Sequence, residues 1–263
     1  MTVRDPALER LTDLGRTPAP EGLLEAVLSR TGTGYWYAEA PSPLGPVLIA
    51  HGPHGIAGIR LAADGAEAFE AWFRSEQGVV IRPEPELPEG ILESFEARVA
   101  GRRRVVPLDF GGRTPFQQSV LRAAVTIPRG QVRTYGWVAR EIGHPAAVRA
   151  VGTALRRNPI PLIVPCHRVL PSDLQLGQYS CGGPEKKRAA LLSEGLDLDR
   201  LEGLATAGVR YLGSDTTHVF CTPSCADAVR ITPRHEVRFR SASEALAAGY
   251  RPCHHCRPAA AAA

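Results

Sequence analysis

A cysteine followed directly by a histidine and an arginine, Cys166-His167-Arg168, is the part of the sequence best suited to nucleophilic chemistry. A thiolate is the nucleophile, and neighbouring basic or cationic groups raise the fraction of thiol that is ionised. The preceding residues 159–165 are apolar and contain three prolines, which exclude a helix and predict a buried, extended segment. A core cysteine with a chance neighbour is the more common explanation of such a pair taken alone.

The other chemically distinctive residues are cysteines grouped near the carboxyl end of the sequence. Cys221 and Cys225 form a Cys-x3-Cys pair, and after 27 residues Cys253 and Cys256 form a Cys-x2-Cys pair. Two close pairs of thiolates separated by a small module are typical of one tetrahedral zinc ion. The spacing predicts these four cysteines as ligands, with His254 and His255 as possible substitutes. A purely structural site remains one alternative.

The distribution of charge indicates what these groups act on. Residues 1–107 carry a net charge of −4, residues 108–196 carry +7 and residues 197–263 carry +1. The local excess around Cys166 favours an anionic partner, and nucleic acid is the first choice. A GC-rich genome explains the preference for arginine over lysine, but it does not explain where the charge lies. No long apolar run or apolar leader occurs, so we expect a cytoplasmic protein in a reducing compartment, without membrane segments.

The elements that must hold these residues begin with an acidic α+β region. Residues 1–33 have an amphipathic helical pattern broken by two prolines, and three short strands and two helices follow. The predicted strands are Tyr35–Ala40, Pro46–His51 and Gly55–Leu61, and the predicted helices are Asp64–Ser75 and Pro88–Ala100. This half has no catalytic constellation, and we interpret it as a scaffold.

The region around Cys166 is predicted to be mostly helical. Thr114 and Gln117 form a capping-box pattern at a helix start. Helices are then expected over residues 135–142 and 145–157, with a turn at Gly143-His144, and later over residues 184–194. Two helices at this spacing fit a helix-turn-helix or an ordinary helical hairpin, and the local charge favours the DNA-binding version. A short linking helix is expected within residues 196–209.

Residues 35–195 resemble the O6-alkylguanine-DNA alkyltransferases. The matching segments are Thr114-Pro115-Phe116-Gln117, Ile127-Pro128-Arg129-Gly130, Thr134-Tyr135, Arg149-Ala150-Val151-Gly152, Asn158-Pro159, Pro165-Cys166-His167-Arg168-Val169, Tyr179-Ser180 and Leu191-Leu192-Ser193-Glu194-Gly195. The resemblance implies an α+β fold that pairs a ribonuclease-H-like N-terminal part with a helical, DNA-binding part.

The resemblance also implies a reaction. Cys166 would take the alkyl group of O6-alkylguanine in an irreversible, single-turnover transfer, and O4-alkylthymine would be a further substrate. His167 would be its base through a water, Glu194 would orient His167, and Asn158 would fix the turn that presents the thiol. Tyr135 would donate a hydrogen bond to the flipped guanine. The residues implied to line the substrate pocket are Tyr179, Ser180 and Val169.

DNA contacts follow from the same resemblance. Arg149 would fill the space of the flipped base, and the helix that carries it would enter the minor groove of double-stranded DNA. The residues implied to allow or make that close approach are Ala147, Ala150, Gly152 and Thr134. Cys181 lies where a glycine is common, so it is a second acceptor, an oxidation partner of Cys166 or simply a small buried residue.

The four-cysteine region resembles the zinc domain of Ada-type repair proteins. The matching segments are Thr216–Cys225, Val237–Phe239 and Ala247–Pro258. The resemblance implies one zinc ion, structural and thiolate-activating, and a methyl transfer from DNA methylphosphotriesters to Cys221. No organic cofactor is implied.

The predicted domains are a scaffold over residues 1–106, a catalytic and DNA-binding domain over 107–196, a linker over 197–207, a zinc domain over 208–258 and a tail over 259–263. We expect a monomeric bacterial DNA-repair enzyme, nucleoid-associated when on DNA. The alternative is a damage-sensing DNA-binding or regulatory protein whose zinc module is only structural.

Overall fold

The computed structural model describes Leu23, Val27, residues 34–102 and residues 104–258. The predicted helical pattern of residues 1–33 and the tail over 259–263 therefore lie outside the residues described, apart from Leu23 and Val27. The fold is mixed α+β, as predicted. It has a sheet with two helices, a helical middle region and a small second sheet near the carboxyl end.

The first sheet contains β1 (Tyr35–Ala40), β2 (Val47–Gly52), β3 (Gly55–Leu61) and β4 (Ile81–Pro83), in the order β3-β2-β1-β4. The three predicted strands are confirmed within one residue at each end. β1 and β3 pair antiparallel with β2, whereas β4 pairs parallel with β1. Proline and glycine turns separate the first three strands, and this is why their bounds could be predicted.

Two helices pack on this sheet, α1 (Ala66–Gln77) and α2 (Glu89–Val99). Phe69 and Phe73 of α1 are buried and pack in a cluster that includes Tyr37 and Leu48. Phe95 of α2 is buried in the larger core, which also contains Cys166. The nucleophile candidate is therefore held by the same core that supports the sheet.

The middle region begins with α3 (Pro115–Val125), followed by β5 (Arg133–Thr134), α4 (Tyr135–Glu141) and α5 (Val148–Arg156). The predicted capping box is present at α3, where the Thr114 hydroxyl accepts from the Gln117 amide and the Gln117 side chain accepts from the Thr114 amide. Reciprocal bonds of this kind satisfy amides at the helix start that have no intrahelical partner.

The predicted start of α5 was wrong by three residues. Gly143 adopts a left-handed conformation with φ of 76° and ends α4, as expected. The Ala147 amide then donates to the carbonyl of His144 at 2.9 Å, closing a turn in which Pro145 is the second residue. Proline is favoured at that position of a β-turn, so Pro145 belongs to the turn and α5 begins at Val148.

The segment before Cys166 is buried and not helical, as predicted, but it is compact rather than extended. The Val164 amide donates to the carbonyl of Ile160 at 2.9 Å, and Leu162 is left-handed with φ of 70°. Asn158 folds the segment, since its Oδ1 accepts from the Ile160 amide at 3.0 Å and its Nδ2 donates to the Val164 carbonyl at 2.9 Å.

After Cys166 come β6 (Val169–Leu170), which pairs parallel with β5, then α6 (Gly183–Ser193) and the predicted linking helix, α7 (Leu198–Thr206). The second sheet consists of β7 (Tyr211–Ser214), β8 (Val219–Cys221), β9 (Glu236–Phe239) and β10 (Arg251–Pro252), in the order β10-β8-β7-β9. Two short helices accompany it, α8 (Ala226–Val229) and α9 (Ala242–Ala247). Among the described helices, none has the length and apolar character needed to cross a membrane.

Candidate active site and metal centre

Cys166 starts a 3-10 turn, Cys166–Arg168, at the edge of the main core and is only 7% exposed. The Nδ2 of Asn158 lies 3.1 Å from its Sγ. Burial raises the pKa of the Cys166 thiol, while the Asn158 hydrogen bond and the nearby charge of Lys187 act in the opposite direction. Since a thiolate is the reactive form, Asn158 and Lys187 are the groups that favour reactivity.

The next two residues of the turn bind one carboxylate. Glu194 Oε1 lies 2.8 Å from His167 Nε2, and the Arg168 guanidinium donates to both carboxylate oxygens at 2.8 and 2.7 Å. Burial raises the pKa of Glu194, but the hydrogen bonds from His167 and Arg168 outweigh it and lower that pKa to about 2. Glu194 is therefore an anion at neutral pH, fixed by two partners.

His167 is 1% exposed, and burial lowers its pKa, so the imidazole is neutral at neutral pH. The bond to the Glu194 carboxylate assigns the proton of the neutral ring to Nε2. Nδ1 is then the acceptor nitrogen, and it is buried without a hydrogen-bond partner among the described residues. The arrangement leaves a basic nitrogen on the residue next to the thiol.

A cavity of about 380 Å³ opens beside Cys166. Tyr135, Tyr179 and Ser180 line it together with Cys166. Val169, expected to line the same pocket, is instead fully buried in β6 opposite Arg133, outside the lining residues. Burial raises the pKa of Tyr135, so its hydroxyl stays protonated and available as a donor.

The residues predicted to contact DNA lie on α5 and at the start of α4. Arg149 and Ala150 are exposed, and Ala147 and Gly152 are half-buried. Gly152 also lines the cavity, so α5 connects the exposed surface to the Cys166 pocket. The Thr134 hydroxyl accepts from the Trp137 amide at 3.2 Å, which makes Thr134 the N-cap of α4.

The four C-terminal cysteines come together as one buried group. Their sulfur atoms all lie within 4.8 Å of one another. Tetrahedral zinc with bonds of about 2.3 Å to sulfur requires sulfur separations of about 3.8 Å, so the set fits one zinc ion. His254 and His255 are exposed, and His255 Nδ1 bonds to Asp227 at 2.6 Å. The buried ligand set is therefore Cys221, Cys225, Cys253 and Cys256.

Two family profiles and many related proteins match this chain. Residues 115–196 match the DNA-binding domain of 6-O-methylguanine DNA methyltransferase, and residues 204–259 match the metal-binding domain of Ada. The methylated-DNA–protein-cysteine methyltransferase of Mycobacterium tuberculosis is 38% identical over 157 residues, which are 59% of this chain and 89% of that protein. The chain belongs to the methylated-DNA–protein-cysteine methyltransferase family.

Other members of this methyltransferase family extend the similarity. The constitutive enzyme of Bacillus subtilis is 36% identical over 160 residues, covering 60% of this chain and 93% of that protein. The crystal structure of the Mycobacterium tuberculosis O6-methylguanine methyltransferase superposes with a TM-score of 0.50 at 37% identity, covering 61% of this chain and 92% of that one. The mixed α+β fold is thus that of the methyltransferase family, with an Ada-type metal-binding region added.

In this methyltransferase the metal-binding region packs directly on α4. The indole Nε1 of Trp137 donates to the carbonyl of Cys256 at 2.9 Å, and the Val132 amide donates to the Ser224 hydroxyl at 2.8 Å. Arg257 forms an ion pair with Glu141 at 2.6 Å. The sequence did not predict this interface, because none of its residues has a local pattern that reveals a distant partner.

Two further residues of the methyltransferase site escaped sequence reasoning. Arg168 donates to both carboxylate oxygens of Glu194, a contact that its position next to His167 in the sequence does not predict. Lys187 is 1% exposed and donates to the Val169 carbonyl at 2.9 Å, and burial lowers its pKa to about 8. The sequence feature that could have pointed to Lys187 is composition, because Lys186 and Lys187 are the only lysines of an arginine-rich chain.

Proposed function

We propose that this protein repairs DNA by transferring the alkyl group of O6-alkylguanine to Cys166. The observation that carries the proposal is a buried thiol on the wall of a cavity, hydrogen-bonded by Asn158 and followed by the His167–Glu194 pair. The Cys166 sulfur attacks the alkyl carbon, and the bond from that carbon to guanine O6 breaks as the S–C bond forms. The thioether is inert, so each molecule acts once.

The neighbouring residues handle the proton. His167 Nδ1 takes the thiol proton through a water, and the negative charge of Glu194 stabilises the imidazolium that results. Tyr135, protonated at neutral pH, donates to the guanine as it leaves, so that the base departs neutral. O4-alkylthymine presents the same alkyl-oxygen bond and is proposed as a further substrate. Tyr179 and Ser180 line the pocket that receives either base.

Access to a base inside the duplex requires that the base be flipped out, at a cost of a few kcal/mol. We propose that α4 and α5 form a helix-turn-helix, that α5 enters the minor groove, and that Arg149 occupies the space the base leaves. Small residues at 147, 150 and 152 suit close approach to DNA. The ribonuclease-H-like N-terminal part, residues 1–106, would serve as scaffold for the catalytic domain, residues 107–196.

The metal-binding region, residues 208–258, is proposed to accept methyl groups from DNA methylphosphotriesters at Cys221. When bound, zinc would keep the four sulfurs deprotonated at neutral pH. A cavity of about 580 Å³ reaches Cys221 and is also lined by Arg230 and Arg251, whose charges suit the phosphodiester anion that the transfer releases. The methyl carbon bonds to the Cys221 sulfur, its bond to oxygen breaks, and a phosphodiester anion is released.

A second candidate is a DNA-binding or regulatory protein in which the metal region is only structural. Its support is that Cys221 is just 1% exposed and that the region packs tightly on α4. Under this alternative, Cys221 would receive no methyl group from modified backbone.

Peptide mass mapping after incubation with methylated DNA tests both proposals. Duplex DNA with O6-methylguanine should add the mass of one methylene group to the Cys166 peptide, and Cys166→Ser should abolish the gain. Retained lesion-specific binding without transfer would contradict the repair proposal. DNA carrying methylphosphotriesters should modify the Cys221 peptide alone. The matched substitution Cys181→Ser should leave both gains in place.

A further inference from the structure

A groove of about 690 Å³ lies between the α4–α5 helix pair and the metal-binding region. Thr134, Tyr135 and Val148 line one side, whereas Tyr211, Arg240 and Pro258 line the other. Four arginines line the groove in all, at positions 133, 140, 210 and 240, and none of its lining residues in the described part of the chain is acidic. A concave surface with charge of one sign concentrates ligands of the opposite sign.

This groove continues the surface proposed to hold the damaged base. Tyr135 lines both the groove and the cavity beside Cys166. Val148, which lines the same side of the groove, directly precedes Arg149. The DNA strand on either side of a nucleotide held in the cavity would therefore run along α5 or into the groove. Arg240 is exposed and Arg210 half-buried, and both line the groove.

We infer that the DNA backbone flanking the lesion lies in this groove and that Arg210 and Arg240 contact its phosphates. The inference rests on the proposed function and extends the DNA footprint from the methyltransferase domain onto the metal-binding region. On this inference the metal-binding region contributes to base repair by binding DNA, independently of any chemistry at Cys221.

Salt-dependent duplex binding tests this surface. The double variant Arg210→Ala/Arg240→Ala should reduce the magnitude of the slope of log K against log salt concentration by about 2, where K is the association constant for duplex DNA. It should also weaken binding on the order of tenfold or more at 0.1 M salt. Arg74→Ala, on the exposed side of α1, is the matched control and should change neither quantity. A double variant with the slope of the Arg74→Ala control would overturn the inference.

Transfer from the free O6-alkylguanine base separates this inference from the proposed function. That reaction involves no phosphate, so transfer to Cys166 in the double variant shows that the site is folded and that the loss lies in DNA contact. Wild-type protein that transfers neither from the free base nor from DNA would instead contradict the proposed function, whatever the salt slope.

A second inference comes from a different observation, a buried arginine without a carboxylate. Arg133 is 3% exposed. Its guanidinium donates to the Val132 carbonyl at 2.9 Å, to Gln131 Oε1 at 2.8 Å and to the Thr222 hydroxyl at 3.4 Å. Its Nε is buried without a partner, and no acidic side chain forms an ion pair with it among the described residues.

Burying a cation is costly unless an anion balances it. Thr222, whose hydroxyl accepts from Arg133, directly follows Cys221, so the guanidinium lies beside the four-cysteine site. Four thiolates around one zinc ion carry a net charge of −2, so the loaded site can supply the missing negative charge. Thr222, which contacts Arg133, also donates its amide to the Cys256 sulfur at 3.4 Å.

We propose that Arg133 is a positioning residue. Its positive charge pairs with the negative charge of the zinc-loaded four-cysteine site and so couples that site to the methyltransferase domain. Arg133 directly precedes Thr134, the N-cap of α4, and Tyr135, which lines the cavity beside Cys166. The charge of the metal site therefore stabilises the start of α4 and the wall of the base pocket.

Hydrogen exchange and metal competition test this role without relying on activity. Arg133→Gln retains donors but loses the charge, so it should release zinc to a chelator about 10- to 100-fold more readily and raise exchange in the amides of α4. Arg133→Lys should stay close to wild type, and Arg122→Gln on α3 is the control. Unchanged zinc affinity and unchanged α4 exchange in Arg133→Gln would overturn the proposal.

A substitution on the metal side guards against an Arg133 variant that does not fold. Cys225→His keeps a zinc ligand but removes one negative charge from the site. It should raise α4 exchange in the zinc-loaded protein, in the same amides as Arg133→Gln. Exchange confined to residues of the metal-binding region would contradict the coupling.

Discussion

Glu194 Oε1 lies 2.8 Å from Nε2 of His167, although the two residues are 27 positions apart in the sequence. The same carboxylate binds Arg168, so one side chain at the end of α6 fixes two consecutive residues of the nucleophile's turn. Gly130 also approaches it, since its backbone amide donates to Oε2 at 3.3 Å. Glu194 thus orients the base and supplies the negative charge that an imidazolium requires.

Replacing that charge should slow the chemical step. We expect Glu194→Gln to lower the single-turnover rate of transfer from O6-methylguanine DNA by about 100-fold, the lower end of the range for general acid–base catalysis. Quenched-flow measurement of alkylated Cys166 gives this rate. Glu185→Gln, exposed in the first turn of the same helix, should transfer at the wild-type rate.

Glu194 should also make the protein sensitive to acid. Its pKa falls from 4.5 to about 2 on folding, so its contribution is present above pH 4.5 and is lost as pH falls towards 2. We expect on the order of 2 kcal/mol of unfolding free energy to disappear across that window. Urea denaturation at several pH values should show a smaller acid-induced loss of unfolding free energy in Glu194→Gln than in the wild type. Equal losses in the two proteins would contradict this role of Glu194.

Lys187 should influence the reactivity of the thiol. Its buried charge lowers the pKa of Cys166, so Lys187→Met should shift the pH profile of iodoacetamide alkylation at Cys166 to higher pH and slow alkylation at neutral pH by about threefold to tenfold. The adjacent Lys186, which donates to the Leu44 carbonyl at 2.8 Å, offers a matched control in Lys186→Met. An identical profile for both variants would exclude an electrostatic role for Lys187.

Arg149 should matter for the flipped base rather than for general DNA affinity. Arg149→Ala removes the side chain proposed to fill the vacated stack, so transfer from duplex O6-methylguanine should fall by about tenfold, equivalent to a little over 1 kcal/mol. Binding to undamaged duplex should change by less than about threefold. Both are measured on one preparation, and an unchanged transfer rate would refute the role.

Local patterns predicted the elements better than they predicted their junctions. The strands from Tyr35 to Leu61 and the Thr114–Gln117 capping box follow from neighbouring residues, so the sequence alone was sufficient. Pro145 suits either the first turn of a helix or the second position of a β-turn, and only the His144–Ala147 bond decides between them. Likewise, the compact turn after Asn158 depends on where one amide side chain points.

For the site, the sequence identified the reactive residues but not the buried charged side chains that surround them. Cys166 and His167 were identified from their residue types, their roles and Glu194 came from the resemblance, and the structure brings His167 and Glu194 together. The buried cations Lys187 and Arg133 could not be predicted, because their burial depends on contacts with residues distant in the sequence, Val169 for Lys187 and Thr222 for Arg133. Burial of a charged residue is a property of tertiary packing rather than of its neighbours.

The contact of Trp137 with Cys256 has a consequence for the order of folding. The two residues are 119 positions apart, so the face of α4 that carries Trp137 is covered only after the chain has been synthesised as far as Cys256. Contacts of such high sequence separation form late and slow the folding of a domain. A cell short of zinc would then accumulate chains whose methyltransferase domain is made but whose α4 still exposes an apolar surface, the kind of species that aggregates.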